Sequence, residues 1–122
     1  MAESFDFRKL FGAPLSSAEV FREMYKRFDD GARAAAMATV VKTKGSTPQQ
    51  VGAKMVVFDD GAFIGTVGGG CVEAEVWAEA REALRTGNSA LHHFTLTADE
   101  ASEEGMVCGG TMDIFIDVWE QG

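Results

Sequence analysis

Two cysteines stand beside glycine runs in this chain, in Gly68-Gly69-Gly70-Cys71-Val72-Glu73 and in Val107-Cys108-Gly109-Gly110. Glycine carries no Cβ, so these stretches let a ligand come close to the main chain and its N–H groups. The first run follows a strand-like segment and opens a helix-like one. Amide donors, the positive end of a helix dipole and the Cys71 thiol then converge. A helix N-terminus favours the thiolate, the form that ligates metals and attacks electrophiles. Glu73, two residues on, is placed to accept a proton or orient a ligand, although a dipole-favoured surface glutamate explains it nearly as well. Gly45-Ser46-Thr47-Pro48 adds hydroxyls and amides where another strand ends, a common place for ligands in α/β proteins; the competing reading is a plain turn.

Several better-known sites are disfavoured. Gly65-Thr66-Val67-Gly68-Gly69-Gly70 lacks the register of a dinucleotide fingerprint and the Lys-Ser/Thr of a P-loop. There is no C-x-x-C pair, and adjacent His92 and His93 on a strand point to opposite faces, which leaves a surface histidine pair rather than a zinc set. No serine sits in a nucleophile elbow, and the carboxylates are scattered. Cys71 and Cys108 are distant in sequence, so a shared pocket requires the fold to unite them.

The elements that position these residues read as follows. Residues 1–14 form an N-terminal arm with Phe5, Phe7, Leu10 and Phe11. Ser16 with Glu19 makes a capping box, and Leu15 with Val20 a hydrophobic staple, for a helix whose stripe is Val20, Met24 and Phe28, flanked by Phe21 and Tyr25. Gly31 stops it. Ala34 to Thr43 reads as a central strand, small and apolar on both faces. Ala53–Phe58 and Ala62–Val67 make a hairpin about a two-residue Asp60-Gly61 turn. A second helix runs from Gly70 to Arg85 with Cys71 in its first turn; its stripe is Val72, Val76, Ala80 and Ala83–Leu84, and Gly87 follows. Leu91–Thr97 is a strand, Thr97–Glu104 an acidic loop, and the last strand turns Met112, Ile114, Ile116 and Val118 one way and Asp113, Phe115 and Asp117 the other. This order argues for a single α/β domain over residues 15–122, a mixed sheet of about five strands with helices packed on it.

Length and charge bound the class. The 122 residues suffice for one core, and the net charge of −8 without a sizeable lysine–arginine cluster argues against nucleic-acid or anionic-membrane partners. No run reaches the length of a membrane helix, the N-terminus lacks signal-peptide features, and two cysteines make no secreted scaffold, so a cytoplasmic protein with reduced thiols is expected.

Taken in order, Ala38-Thr39-Val40-Val41, Lys44-Gly45-Ser46-Thr47-Pro48, Val51-Gly52-Ala53-Lys54-Met55, Gly65 to Glu73 and Cys108-Gly109-Gly110 resemble the XdhC/CoxI family, with the likeness running from about residue 18 to residue 118. Members are accessory factors of molybdenum hydroxylases such as xanthine dehydrogenase and carbon monoxide dehydrogenase. The resemblance implies a non-enzymatic chaperone that binds the molybdenum cofactor (molybdopterin) in transit, assists its sulfuration and delivers it to the apo molybdenum hydroxylase, with a cysteine desulfurase as a second partner. Carried over residue by residue, Cys71 and Cys108 are the metal ligands. Gly68, Gly69, Gly70, Gly109 and Gly110 shape the pocket, and Ser46, Thr47 and Glu73 are further contacts. Sulfur-ligated molybdenum suits thiolates, and a pterin phosphate suits amides at a helix start. Gln49 stands where the family pattern tends to carry arginine, which removes a fixed positive charge from that loop. Many relatives continue into a Rossmann-like domain; the expectation here is that this half is a separate subunit or that the domain works as a homo-oligomer. Two other readings stay open: a thiol redox or sulfur-transfer enzyme cycling Cys71 and Cys108, and a small interaction module that binds a partner through its aromatic arm.

Overall fold

A computed structural model describes residues 15–47, 49–68, 72–96 and 109–120. The N-terminal arm, the Thr97–Glu104 loop and both cysteines lie outside the described residues.

Helix α1, Ser17–Asp29, begins where local chemistry dictates. The Ser16 hydroxyl accepts from the Glu19 N–H, while the Glu19 carboxylate accepts from the Ser16 N–H, so two orphan donors of the first turn are satisfied reciprocally. Val20 and Met24 are fully buried, and Leu15, Phe21 and Phe28 pack beside them; Tyr25, expected at the edge of the stripe, is exposed. Gly31, with φ +107°, ends the helical segment by donating to the Phe28 carbonyl.

Five strands follow the scheme read from the sequence: β1 (Ala34–Lys44), β2 (Lys54–Phe58), β3 (Phe63–Gly65), β4 (Ala90–Thr95) and β5 (Thr111–Glu120). Their spatial order is β3-β2-β1-β5-β4. Every pairing is antiparallel, which corrects the expectation of a mixed sheet. The reason is topological. Helix α2 (Glu73–Thr86) links β3 to β4, and such a crossover delivers two strands running the same way. Here they land at opposite edges, with β2, β1 and β5 between them, so no parallel neighbours form.

The β2–β3 hairpin also departs in detail. Gly61 donates to the Phe58 carbonyl at 2.9 Å and Phe58 to the Ala62 carbonyl at 2.8 Å, which closes a three-residue loop, Asp59-Asp60-Gly61, rather than a two-residue one. Gly61 at φ +88° takes the left-handed position such loops require.

The two helices sit on opposite faces. Helix α1 covers β2 and β3 through Val20, Met24, Ala35, Met37, Val56 and Phe58. Helix α2 lies across β1, β5 and β2, burying Val72, Val76, Ala80 and Ala83 against Ala36, Ala38, Val40, Met55, Met112, Ile114 and Ile116. The alanines of β1 let α2 approach the sheet; a bulkier residue there forces off-rotamer packing that costs about 1–3 kcal/mol. Gly87, left-handed at φ +77°, caps α2 by donating to the Ala83 carbonyl at 2.7 Å. No helix among the described residues is long and apolar enough to cross a membrane.

Candidate functional site

Because all neighbours are antiparallel, β1, β3 and β4 run one way and β2 and β5 the other. The C-terminal ends of β1, β3 and β4 therefore share one end of the sheet with the N-terminal ends of β2 and β5. Gly45-Ser46-Thr47 leaves β1 there, Thr66-Val67-Gly68 leaves β3 there, and Gly109-Gly110 enters β5 there.

Two of these segments interlock. The N–H groups of Gly109 and Gly110 both donate to the Ser46 carbonyl, at 3.2 and 3.0 Å, and Leu96 donates to the Gly110 carbonyl at 3.0 Å. A Cβ on Gly110 would stand 2.1 Å from the Lys44 carbonyl oxygen and 2.9 Å from that of Ser46, so only glycine allows the two main chains to approach this closely. Gly45, at φ +76°, faces the Gly110 Cα across the same contact, where its own Cβ would lie at 3.0 Å. The diglycine thus binds one loop to another, and its amides are committed inside the protein rather than offered to a ligand. Ser46 is exposed and Thr47 half-buried; the Thr47 hydroxyl donates to the Gln49 carbonyl at 3.0 Å.

The second group is built around Thr66, whose side chain is buried. Its hydroxyl donates to the Glu73 carboxylate at 2.6 Å and accepts from the Gly68 N–H at 3.4 Å. One hydroxyl ties the entry of the glycine run to the first turn of α2. Glu73 therefore has a holding role, and its position at the positive end of the helix is electrostatically favourable. The helix starts later than the periodicity suggests. Val72 is the N-cap, with φ −148° and no side-chain hydrogen bond, so Cys71 precedes the cap instead of sitting in the first turn. The Thr66–Glu73 bond holds the first turn against the segment that leaves β3.

The structure unites Ser46 with Gly109 and Gly110, and Gly68 with Glu73. No hydrogen bond joins these two groups among the described residues; β3 and β5 are three strand spacings apart, about 14 Å. Gly69, Gly70, Cys71 and Cys108 lie outside the described residues, as does Pro48. Among the described residues no three His, Cys, Asp or Glu side chains form a metal-binding group. His92 and His93 diverge as expected: His92 turns to Glu79 on α2, with Nδ1 3.6 Å from its carboxylate, and His93 turns to the opposite face. Sequence reasoning missed Thr66 and Gly45. A threonine followed seven residues later by a glutamate, across a glycine run, was the available signal for Thr66. Nothing local marks Gly45 as the partner of Gly110.

Comparison with known proteins places this geometry. A stretch of 83 residues, 68% of the chain, is 42% identical to YqeB of Escherichia coli (strain K12), an uncharacterized protein. A stretch of 55 residues, 45% of the chain, is 42% identical to the molybdenum cofactor insertion chaperone PaoD of the same organism. The matched stretches span 15% and 17% of those proteins' lengths. The fold resembles the crystal structure of a xanthine dehydrogenase from Bacillus halodurans, with a TM-score of 0.62 over 79% of this chain and 29% of that one, at 22% identity. Residues 30–95, from the turn after α1 to the end of β4, match the XdhC and CoxI family, and the chain belongs to that family.

Proposed function

We propose that this domain binds the molybdenum cofactor in transit and assists its sulfuration and insertion into a molybdenum hydroxylase. The observation that carries the reading is the gathering of the Ser46 loop, the Gly68 segment and the Gly109-Gly110 segment at one end of the sheet. Each cysteine is one to three residues in sequence from a described member of that set, which supports a shared end of the sheet for both glycine runs.

The residues fit such a group in two respects. Close main-chain approach at Gly110 and Gly45 keeps that contact free of side-chain bulk, and Val72, the N-cap of α2, makes no side-chain hydrogen bond to the helix amides. A bound cofactor would supply a soft, sulfur-ligated metal, for which the Cys71 and Cys108 thiolates are the matching donors. The α2 N-terminus favours an anionic group near it. Ser46, exposed, offers a hydroxyl, while Gly109 and Gly110 hold the Ser46 loop in place. PaoD, the relative with a stated role, inserts the molybdenum cofactor, which supports a chaperone rather than a metabolic enzyme. The client is then an apo molybdenum hydroxylase, and sulfuration brings in a cysteine desulfurase as sulfur donor; a Rossmann-like subunit or a second copy would complete the site, with the cytoplasm as its setting.

Retention of molybdenum cofactor by the purified protein, followed by metal analysis after gel filtration, tests this. Wild type should co-elute with molybdenum, and Cys71→Ala or Cys108→Ala should reduce retention at least tenfold. Equal retention in both variants would remove the thiol ligands from the proposal.

A further inference from the structure

Strand β1 changes face partway along. Ala36, Ala38 and Val40 point to α2, and strict alternation would send Lys42 and Lys44 into the same core. The register with β5 steps from Val40↔Ile114 to Lys42↔Asp113, so Val41 is an extra residue. This bulge turns Lys42 and Lys44 to the opposite face, beyond Ala35 and Met37, the β1 residues that belong to the α1 cluster. There they join Asp113 and Thr111 of β5 and His93 of β4, each directly across in register. The five side chains line an open hollow of about 320 Å³.

His93 Nδ1 lies 2.5 Å from an Asp113 carboxylate oxygen, so Nδ1–H donates there and Nε2 faces away from that bond. Asp113 is thereby engaged, and neither lysine has a carboxylate partner among the described residues. In a chain of net charge −8, two cations directed into one concavity by a bulge make a local exception. Ammonium groups act as compact point charges, the form in which lysine commonly binds phosphate. The hollow is at the lower end of small-molecule site volumes, roughly 300–1,000 Å³, and larger than a bare ion needs.

We propose that Lys42, Lys44, Thr111 and His93 form a binding site for the phosphate group of a small phosphate monoester. The lysines supply charge, the Thr111 hydroxyl donates to a phosphate oxygen, His93 Nε2 accepts from the P–OH of a singly ionised monoester, and Asp113 holds the imidazole. Lys44 precedes Gly45 and Thr111 follows Gly110, so the site borders the interlocked loops without using either cysteine. It does not depend on what the glycine segments bind.

Titration of the full chain with glycerol 3-phosphate, inorganic phosphate and glycerol, read by amide chemical shifts and calorimetry, tests the site. Glycerol 3-phosphate should bind saturably with shifts centred on Lys42, Lys44, His93 and Thr111; inorganic phosphate should bind at the same residues more weakly, and glycerol not at all. Lys42→Ala with Lys44→Ala should weaken binding at least tenfold and Thr111→Val about threefold, Lys42→Arg with Lys44→Arg should retain most of it, and Arg22→Ala on α1 should leave it unchanged. Tighter binding of inorganic phosphate than of the ester would overturn the monoester assignment. Absence of saturable shifts, unchanged affinity in the double alanine variant, or equal weakening by Arg22→Ala would overturn the site.

Discussion

Replacing Gly110 with alanine isolates the contact that holds two candidate-site segments together. The new Cβ would sit 2.1 Å from the Lys44 carbonyl oxygen, about 1.3 Å inside the 3.4 Å at which ordinary contact begins. Its neighbours are all backbone, so no flexible side chain can yield; the loop or the start of β5 has to move. Three hydrogen bonds depend on the present position, from Gly109 and Gly110 to Ser46 and from Leu96 to Gly110. At about 0.5–1.5 kcal/mol each, with an overpacking cost of about 1–3 kcal/mol relieved by partial loss of those bonds, the net destabilisation is about 3 kcal/mol. With a urea dependence of about 2 kcal/mol per molar, the unfolding midpoint falls by roughly 1.5 M at unchanged slope. Gly109→Ala is the matched control. Its Cβ meets nothing within 4 Å and its φ is not in the left-handed region, so its midpoint should stay within about 0.3 M of wild type. Equal midpoints for Gly110→Ala and wild type, or equal damage from both alanines, would refute the close-packing argument. Molybdenum retention adds a second readout: Gly110→Ala should lose it even under conditions where the variant remains folded.

Other expectations are more local. Thr66→Val keeps shape but strands the Glu73 carboxylate and the Gly68 N–H, so it should lower stability by about 1–3 kcal/mol in urea unfolding, with Thr66→Ser restoring most of it. Ser16→Ala removes half of the capping box and should cost about 1 kcal/mol, seen as a lower thermal midpoint and faster amide exchange in the first turn of α1.

Local chemistry made some of this legible and non-local packing hid the rest. Ser16 and Glu19 announce α1 because their reciprocal bonds involve only residues three apart. The stripe Val72, Val76, Ala80 and Ala83 marks the face of α2 for the same reason, while its start at Glu73 is held by a bond from Thr66 on the preceding segment, which no local pattern reveals. Alternation in β5 was plain, yet the antiparallel arrangement was not, since a β–α–β order says which way two strands run and not whether they are neighbours. Glycines 109 and 110 stood out as a close-approach segment, but the object approached, the Lys44–Ser46 main chain, is more than sixty residues away in sequence. The Val41 bulge was invisible: Lys42 and Lys44 read as ordinary strand-end residues until the register with Asp113 shows which face they occupy.

The longest ladder in the molecule joins β1 to β5, from Ala34 with Glu120 to Lys44 with Thr111. Its partners lie 86 residues apart at one end and 67 at the other, so a large loop has to close before the first of these bonds can form. Until β5 docks, the Ser46 carbonyl has no diglycine to receive, and the lysine-lined hollow lacks Asp113 and Thr111. One non-local event of folding therefore builds both places together.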